Sequence, residues 1–235
     1  MCIHGGGWTS GTPPFFFPHC RYFASRGAVA FSIQYRLADE KRSNLADCLA
    51  DARAALRFIR ANAERFGIDP ERIAVVGDSA GGHLAACLGT IPDPAEGVSS
   101  RPNAMLLYNP VLDLTTLDWT QKLPDAASLS PMLHVEGGQP PTLLMHGTED
   151  KSVPVEQARR FAAAMAKAGN RCDLVILDGI AHAFVLAGYT APESTVVEAI
   201  RAGDRFLASL GYLDGEPTLR FRKGRPAKTK LFDIQ

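Results

Sequence analysis

Short apolar runs alternate with longer helical patterns along this chain, and this alternation limits the folds that are open to it. The runs that have the length of strands are residues 28–33, 72–76, 104–108, 141–145 and 174–177. The segments predicted as helices are residues 45–66, 80–89, 155–168 and 195–210. Strands that are buried on both faces and separated by helices predict the α/β class, with a mostly parallel sheet flanked by helices. Functional residues of such a sheet are expected at the carboxyl ends of its strands.

Composition restricts the partners that we expect. The chain has 235 residues, of which 46% are hydrophobic, so a single core is expected. The formal net charge is zero, which gives no reason to expect a nucleic acid or an anionic membrane as a partner. No apolar run approaches the ~18 residues of a membrane-spanning helix. No cluster of His, Cys and acidic residues has the spacing of metal ligands, so neither a metal nor another cofactor is expected.

The five cysteines give an indication of the cellular compartment. Their number is odd and no C-x-x-C pair occurs, so we expect buried or stray thiols and not a disulfide framework or a zinc site. Unpaired thiols favour a reducing, cytoplasmic compartment. Export is expected only if a secretion signal precedes this sequence.

One serine lies in a motif that is typical of a nucleophile. The sequence GDSAG, with Ser79 at its centre, follows the predicted strand at 72–76 and precedes the predicted helix at 80–89. In a G-x-S-x-G turn the glycines allow a sharp bend that exposes the serine at the edge of the sheet. A helix N-cap is the alternative role for Ser79, but the doubled glycine that follows Ala80 favours the nucleophile.

A serine nucleophile needs a base, and the base needs a carboxylate that orients it. In a G-x-S-x-G fold the acid follows the serine along the chain and the histidine comes last. His182 follows the last predicted strand by a short loop, and no other histidine comes after the acidic turn. Asp150 and Glu149 compete for the role of acid, and we favour Asp150 because it lies just before the next helix. The other histidines, including His146, are interpreted as structural.

Three glycines near the start of the sequence fit the remaining requirement of such chemistry. Attack on a carbonyl places negative charge on its oxygen, and backbone N–H groups stabilise that charge. We expect the N–H groups of Gly5, Gly6 and Ala80 to form this oxyanion hole, with His4 as a brace beneath the loop. Taken alone, the glycine run would be interpreted as a flexible tail.

Together these motifs resemble those of the alpha/beta-hydrolase superfamily, in particular the hormone-sensitive-lipase-like enzymes and the bacterial carbohydrate esterases. The stretches that carry the resemblance are HGGGW at 4–8, YRLADE at 35–40, GDSAGG at 77–82 and AHAF at 181–184. The resemblance covers roughly residues 1–210 and implies a serine carboxylic-ester hydrolase that needs no cofactor. It also implies a triad of Ser79, Asp150 and His182, and an oxyanion hole of Gly5, Gly6 and Ala80.

The sequence departs from this family at both ends. Family members normally have two strands before the H-G-G-G loop, so the fold is expected to lack the usual N-terminal strands. The strand at 28–33 would then lie at a sheet edge, which predicts pairing with a second copy of the chain or poor solubility. We expect a catalytic domain at 1–212, with a short lid over about 113–138, and a basic tail at 213–235. This tail is the other candidate for covering the edge.

Several large side chains are candidates for the wall of a pocket that binds a small-molecule ester. They are Trp8, Phe16, Leu112, Trp119 and Ile180, although core packing explains each of them equally well. A short lid favours small or moderately bulky esters, and the resemblance points to acetyl or feruloyl esters of plant polysaccharides.

Two functions are alternatives to an esterase: a prolyl-oligopeptidase-like serine peptidase and a non-catalytic ligand-binding protein on the same fold. The H-G-G-G-W loop argues against the peptidase, and the complete triad argues against the binding protein.

Overall fold

The protein is built around one sheet of six parallel strands. The computed structural model describes residues 1–39, 44–121, 123 and 125–220. The strands are β1 (Cys2–Ile3), β2 (Ser32–Ile33), β3 (Ala74–Asp78), β4 (Ala104–Tyr108), β5 (Thr142–Gly147) and β6 (Cys172–Leu177). Their order in the sheet is β2-β1-β3-β4-β5-β6, and each neighbouring pair is parallel. The predicted α/β class is confirmed.

Helices cover both faces of the sheet. They are α1 (Phe17–Ser25), α2 (Leu45–Ala61), α3 (Ala63–Phe66), α4 (Ser79–Thr90), α5 (Val155–Lys167) and α6 (Glu193–Ser209). Short 3-10 helices lie at Pro13–Phe16, Leu114–Thr116 and Pro131–His134. The buried side chains of α2, α4 and α5 pack in one apolar cluster, and those of α1 and α6 pack in a second. The protein therefore has three layers, with the sheet in the middle.

The central strand β4 shows why the sequence forms this sheet. All five of its residues are buried, and its side chains alternate between the two apolar clusters. Met105 and Leu107 pack towards α2, α4 and α5, whereas Leu106 and Tyr108 pack towards α1 and α6. A strand that is covered on both faces favours apolar side chains at successive positions, and this produces the continuous apolar run in the sequence.

Two elements differ in extent from their prediction. The helix predicted at 45–66 is divided into α2 and α3 at Asn62, and Gly67 follows α3 in a left-handed conformation (φ 63°). The strand predicted at 28–33 is reduced to the two residues of β2, which lies at the sheet edge as expected. The other predicted strands and helices are present, with bounds shifted by one or two residues.

Several predicted segments extend beyond what the structure describes. Residues 221–235 of the predicted basic tail lie outside the described residues, as do residue 40 of the YRLADE stretch and residues 122 and 124 of the predicted lid. Within the described part of the chain, no helix has both the length and the apolar character that crossing a membrane requires.

Candidate active site

Ser79 lies on a sharp turn between β3 and α4. Its φ angle is 51°, a left-handed conformation that is strained for a residue with a side chain. Two glycines make this turn possible. A β-carbon on Gly77 would come within 2.3 Å of the Gly81 carbonyl oxygen, and one on Gly81 within 2.1 Å of the Ile3 carbonyl oxygen. The G-x-S-x-G spacing therefore reflects the close packing of the turn against α4 and β1.

The structure brings Ser79, His182 and Asp150 together at the carboxyl ends of the strands. Ser79 Oγ lies 2.8 Å from His182 Nε2, and His182 Nδ1 lies 2.6 Å from Asp150 Oδ2. A carboxylate only accepts hydrogen bonds, so Nδ1 carries the ring proton and Nε2 is left to accept the proton of the Ser79 hydroxyl. Glu149, the competing acid, is exposed to solvent.

Four donors surround the Asp150 carboxylate. The backbone N–H groups of Ser152 and Val153 both donate to Oδ1 at 2.9 Å. Oδ2 accepts a hydrogen bond from His182 Nδ1, and it also lies 3.1 Å from Nε2 of the fully buried His146. Burial by itself would raise the pKa of this carboxyl, but the hydrogen bonds from His146 and His182 outweigh burial and hold the pKa well below its ordinary value. Asp150 is therefore ionised in the folded protein near neutral pH.

His146 is a member of this network that sequence reasoning assigned to a structural role. Its Nε2 lies 2.9 Å from the carbonyl oxygen of Val153, and because a carbonyl only accepts, Nε2 carries the ring proton. Its Nδ1 has no hydrogen-bond partner among the described residues. The one signal in the sequence was its position four residues before Asp150, across the turn that ends β5.

The glycine loop corrects one prediction. The N–H of Gly5 donates to Asp78 Oδ1 at 2.8 Å, so it is not available to an oxyanion. Gly6 lies in the wall of the cavity described below, as does Gly7, and the N–H groups of both are without partners in the described parts of the chain. Ala80 lies in the first turn of α4, where no described side chain caps the helix. His4 supports the loop, since its ring stacks on Tyr35 at 4.4 Å.

Asp78, which holds Gly5, is itself buried. Only 1% of its surface is exposed, and burial raises the pKa of its carboxyl to about 6, while the hydrogen bond from Gly5 works in the opposite direction. The side chain next to Ser79 therefore changes its charge in the weakly acidic range.

A cavity of about 880 Å³ opens in front of Ser79 and His182. Of the five predicted wall residues, Trp119 lines it. The other four are corrected: Trp8, Phe16 and Leu112 are buried in the apolar clusters, and Ile180 packs against the second cluster. Phe15, which adjoins the predicted Phe16, also lines the cavity, and the wall residues that the sequence did not indicate include Lys151, Ser152, Leu186 and Tyr189. An isolated sequence does not distinguish a large side chain in a cavity wall from one in the core.

In the described ranges, no group of three His, Cys, Asp or Glu side chains is arranged to hold a metal ion. The described groups that face the cavity include the Ser79 hydroxyl and the His182 ring. A hydroxyl hydrogen-bonded to an oriented imidazole is an activated nucleophile for acyl groups.

Residues 1–135 match the family described as having the alpha/beta hydrolase fold. The chain belongs to this alpha/beta-hydrolase family. The resemblance inferred from the motifs is thus confirmed.

Among solved structures, an esterase of Thermogutta terrifontis with propionate bound is 41% identical to this alpha/beta hydrolase, with 92% of this chain and 84% of that chain covered and a TM-score of 0.85. Esterase 2 of Thermogutta terrifontis phosphorylated by paraoxon is 42% identical, with 92% and 83% covered and a TM-score of 0.85.

Curated relatives of this alpha/beta hydrolase are considerably longer. The probable carboxylic ester hydrolase LipM of Mycobacterium tuberculosis is 29% identical, over 88% of this chain and 53% of its own length. This chain therefore spans about half the length of the curated relatives that it matches.

Proposed function

We propose that this chain is a serine carboxylesterase that hydrolyses esters of short or moderately bulky acids. The observation that carries the proposal is the chain of hydrogen bonds from Ser79 Oγ through His182 to Asp150, at 2.8 Å and 2.6 Å, which faces a cavity large enough for a small ester. Family membership and the esterase relatives support the same conclusion.

The reaction proceeds in two halves. Ser79 Oγ attacks the ester carbonyl while His182 Nε2 takes the hydroxyl proton, and Asp150 stabilises the resulting imidazolium. The charge on the carbonyl oxygen is held by the N–H groups of Gly6, Gly7 and Ala80. The tetrahedral intermediate then expels the alcohol, which His182 protonates, and leaves an acyl group on Ser79. A water molecule, deprotonated by His182, releases the acid by the same route in reverse.

The substrate class follows from the wall of the cavity. The relative from Thermogutta terrifontis binds propionate, and we propose that this chain also accepts substrates with a short acyl group. The rings of Phe15, Trp119 and Tyr189 are 44%, 53% and 71% exposed, so they offer aromatic surface to a substrate. We propose acetyl to butyryl esters as the preferred substrates and feruloyl esters as the bulkiest acids accepted. The predicted lid over about 113–138 contributes Trp119 to this wall.

The test uses paraoxon, which phosphorylates the related esterase, together with two serine variants. We expect paraoxon to inactivate the wild-type protein and to label the peptide that contains Ser79. Ser79→Ala should lose both labelling and ester hydrolysis, with kcat lower on the order of 10⁴-fold or more. Ser152→Ala is the matched control, because Ser152 lines the same cavity while only its backbone N–H contacts Asp150.

Rates with acetyl, butyryl, octanoyl and feruloyl esters and with a peptide substrate then define the class. A folded Ser79→Ala protein that hydrolyses esters at the wild-type rate would refute the assignment of the nucleophile. A preference for the peptide would favour the peptidase alternative. Absence of hydrolysis and of labelling in the wild-type protein would favour a ligand-binding role.

A further inference from the structure

Two cysteines that are distant in sequence lie in contact. Cys2 is in β1 and Cys20 is in α1, and their Sγ atoms are 3.8 Å apart. Cys48 and Cys87 make a different kind of contact, since their thiols hydrogen bond to the carbonyl oxygens of Arg36 and Leu129. The pair therefore differs from the other thiols in having a second thiol within reach.

The two thiols differ in accessibility and in acidity. Cys20 is partly exposed, whereas Cys2 is buried. The contact with the Cys2 thiol lowers the pKa of the Cys20 thiol, partial burial opposes this effect, and the nearby charge of Arg21 assists it. The thiolate is the reactive form of a cysteine. We therefore expect the Cys20 thiolate to be the group that attacks a disulfide reagent in solution.

We propose that Cys2 and Cys20 form a reversible disulfide by exchange with a low-molecular-weight disulfide such as oxidised glutathione. The Cys20 thiolate attacks one sulfur of glutathione disulfide, forms a mixed disulfide and releases one glutathione thiolate. The Cys2 thiol then loses its proton and attacks Sγ of Cys20, which releases the second glutathione. The protein loses two electrons and two protons, and one glutathione disulfide is reduced to two thiols.

The bond requires the two sulfurs to move closer together. Their separation must fall from 3.8 Å to about 2.05 Å, and rotation of the two side chains is the movement that brings them together. The bond closes a loop between residues eighteen positions apart. That loop contains Gly6 and Gly7 and the cavity residues Phe15 and Pro18. Oxidation therefore ties both ends of the segment that carries the expected oxyanion donors, and we expect a higher melting temperature with the esterase rate retained.

The test titrates the full chain with glutathione disulfide and counts free thiols under denaturing conditions. We expect the wild-type protein to lose two of its five thiols, to lose the mass of two hydrogens, and to carry no glutathione. A linked peptide pair containing Cys2 and Cys20 should appear in the digest. The melting temperature should rise, and dithiothreitol should reverse each of these changes.

Three variants separate the pair from general thiol reactivity. Cys20→Ser should form no internal disulfide, and Cys2→Ser should retain one glutathione on Cys20 as a stable mixed disulfide. Cys172→Ser is the matched control, since Cys172 is partly exposed like Cys20 but lies in β6, and it should behave as the wild-type protein does.

A wild-type protein that keeps five thiols, or keeps glutathione on Cys20, overturns the proposal. If Cys2→Ser does not fold, Cys20→Ser and Cys172→Ser still decide the question. The readout is independent of esterase activity.

Discussion

The Asp150 carboxylate has a donor that the minimal triad does not require. His146 Nε2–H is shared between Val153 O at 2.9 Å and Asp150 Oδ2 at 3.1 Å, so one oxygen of the carboxylate contacts two histidines. A hydrogen bond to Oδ2 from His146 reduces the negative charge that this oxygen directs at His182. His146 is thus placed to set both the position of Asp150 and the strength of its hydrogen bond to His182.

We expect His146→Leu to lower kcat about fivefold to tenfold with little change in KM, since a net hydrogen bond contributes about 1 kcal/mol. With its second donor gone, Asp150 favours the charged form of His182 more strongly. The acidic limb of the pH–rate profile should therefore move to higher pH. Steady-state kinetics from pH 5 to 9 on the folded variant measure both effects.

His146→Gln is the matched control, because its amide N–H replaces the ring donor. It should restore most of kcat and return the acidic limb towards its wild-type position. If His146→Leu lowers the melting temperature and kcat but leaves the limb in place, His146 has only a packing role.

Asp78 gives the folded protein a second titration that stability measurements can detect. Its pKa is raised by burial from 3.8 to about 6, so the unfolded chain ionises this group before the folded protein does. Well below pH 3.8 the carboxyl is protonated in both states and contributes no pH dependence. As the pH rises from there to about 6, the folded state is increasingly disfavoured, and above about 6 the loss is constant.

Asp78→Asn removes this charge while its amide oxygen still accepts the bond from Gly5. We expect the wild-type protein to lose roughly 2 to 3 kcal/mol of stability relative to Asp78→Asn between pH 4 and pH 7, at about 1.4 kcal/mol per pKa unit. Urea unfolding of both proteins at a series of pH values measures this difference. Asp118 is exposed, and Asp118→Asn should differ from the wild type in free energy of unfolding by nearly the same amount at every pH. A difference for Asp78→Asn that is equally independent of pH would contradict the raised pKa.

At the scale of elements, β2 is the exposed end of the sheet. Among the residues that the structure describes, it pairs with β1 alone, and the apolar residues Val29 and Phe58 nearby are 47% and 54% exposed. Unpaired N–H and C=O groups next to apolar surface favour pairing with a strand of another chain. The predicted association of two copies through residues 28–33 therefore remains our expectation.

We expect the wild-type chain to dimerise with increasing concentration and Val29→Lys to weaken this association about tenfold. A dimer would bring two added lysines to the paired edges, at a cost of up to about 1 kcal/mol each. Val98→Lys is the control, because Val98 is 41% exposed but lies between α4 and β4, outside the segment 28–33. Light scattering after size exclusion gives the masses. A wild-type monomer at high concentration, or equal weakening in both variants, would contradict the prediction.

The elements themselves could be predicted to different degrees. β4 and the helices α5 and α6 follow from local periodicity, because burial on both faces or on one face leaves a repeating pattern in the sequence. β2 could not be delimited, since the length of a strand depends on how long its neighbour runs, and β1 pairs with it over two residues.

At the scale of the whole molecule, the sequence order of motifs predicted which strand ends would meet, and Ser79, Asp150 and His182 lie together as expected. The engagement of Gly5 by Asp78 could not be predicted, because it joins residues 73 positions apart through a side chain. The cavity wall was mostly missed for the same reason. Whether an aromatic ring enters the core or faces a substrate depends on the packing of distant segments.

The cavity wall has a consequence for laboratory evolution of this protein. Phe15, Trp119 and Tyr189 come from three separate segments outside the strands and α-helices, are exposed, and belong to neither apolar cluster. Surface substitutions of this kind usually change stability by less than about 0.5 kcal/mol. A combinatorial library at these three positions would therefore sample many shapes of the cavity wall while most of its members still fold. New ester selectivities should be reached there in few mutational steps, whereas the turn at Ser79, closed by backbone contacts at Gly77 and Gly81, leaves almost no room for variation.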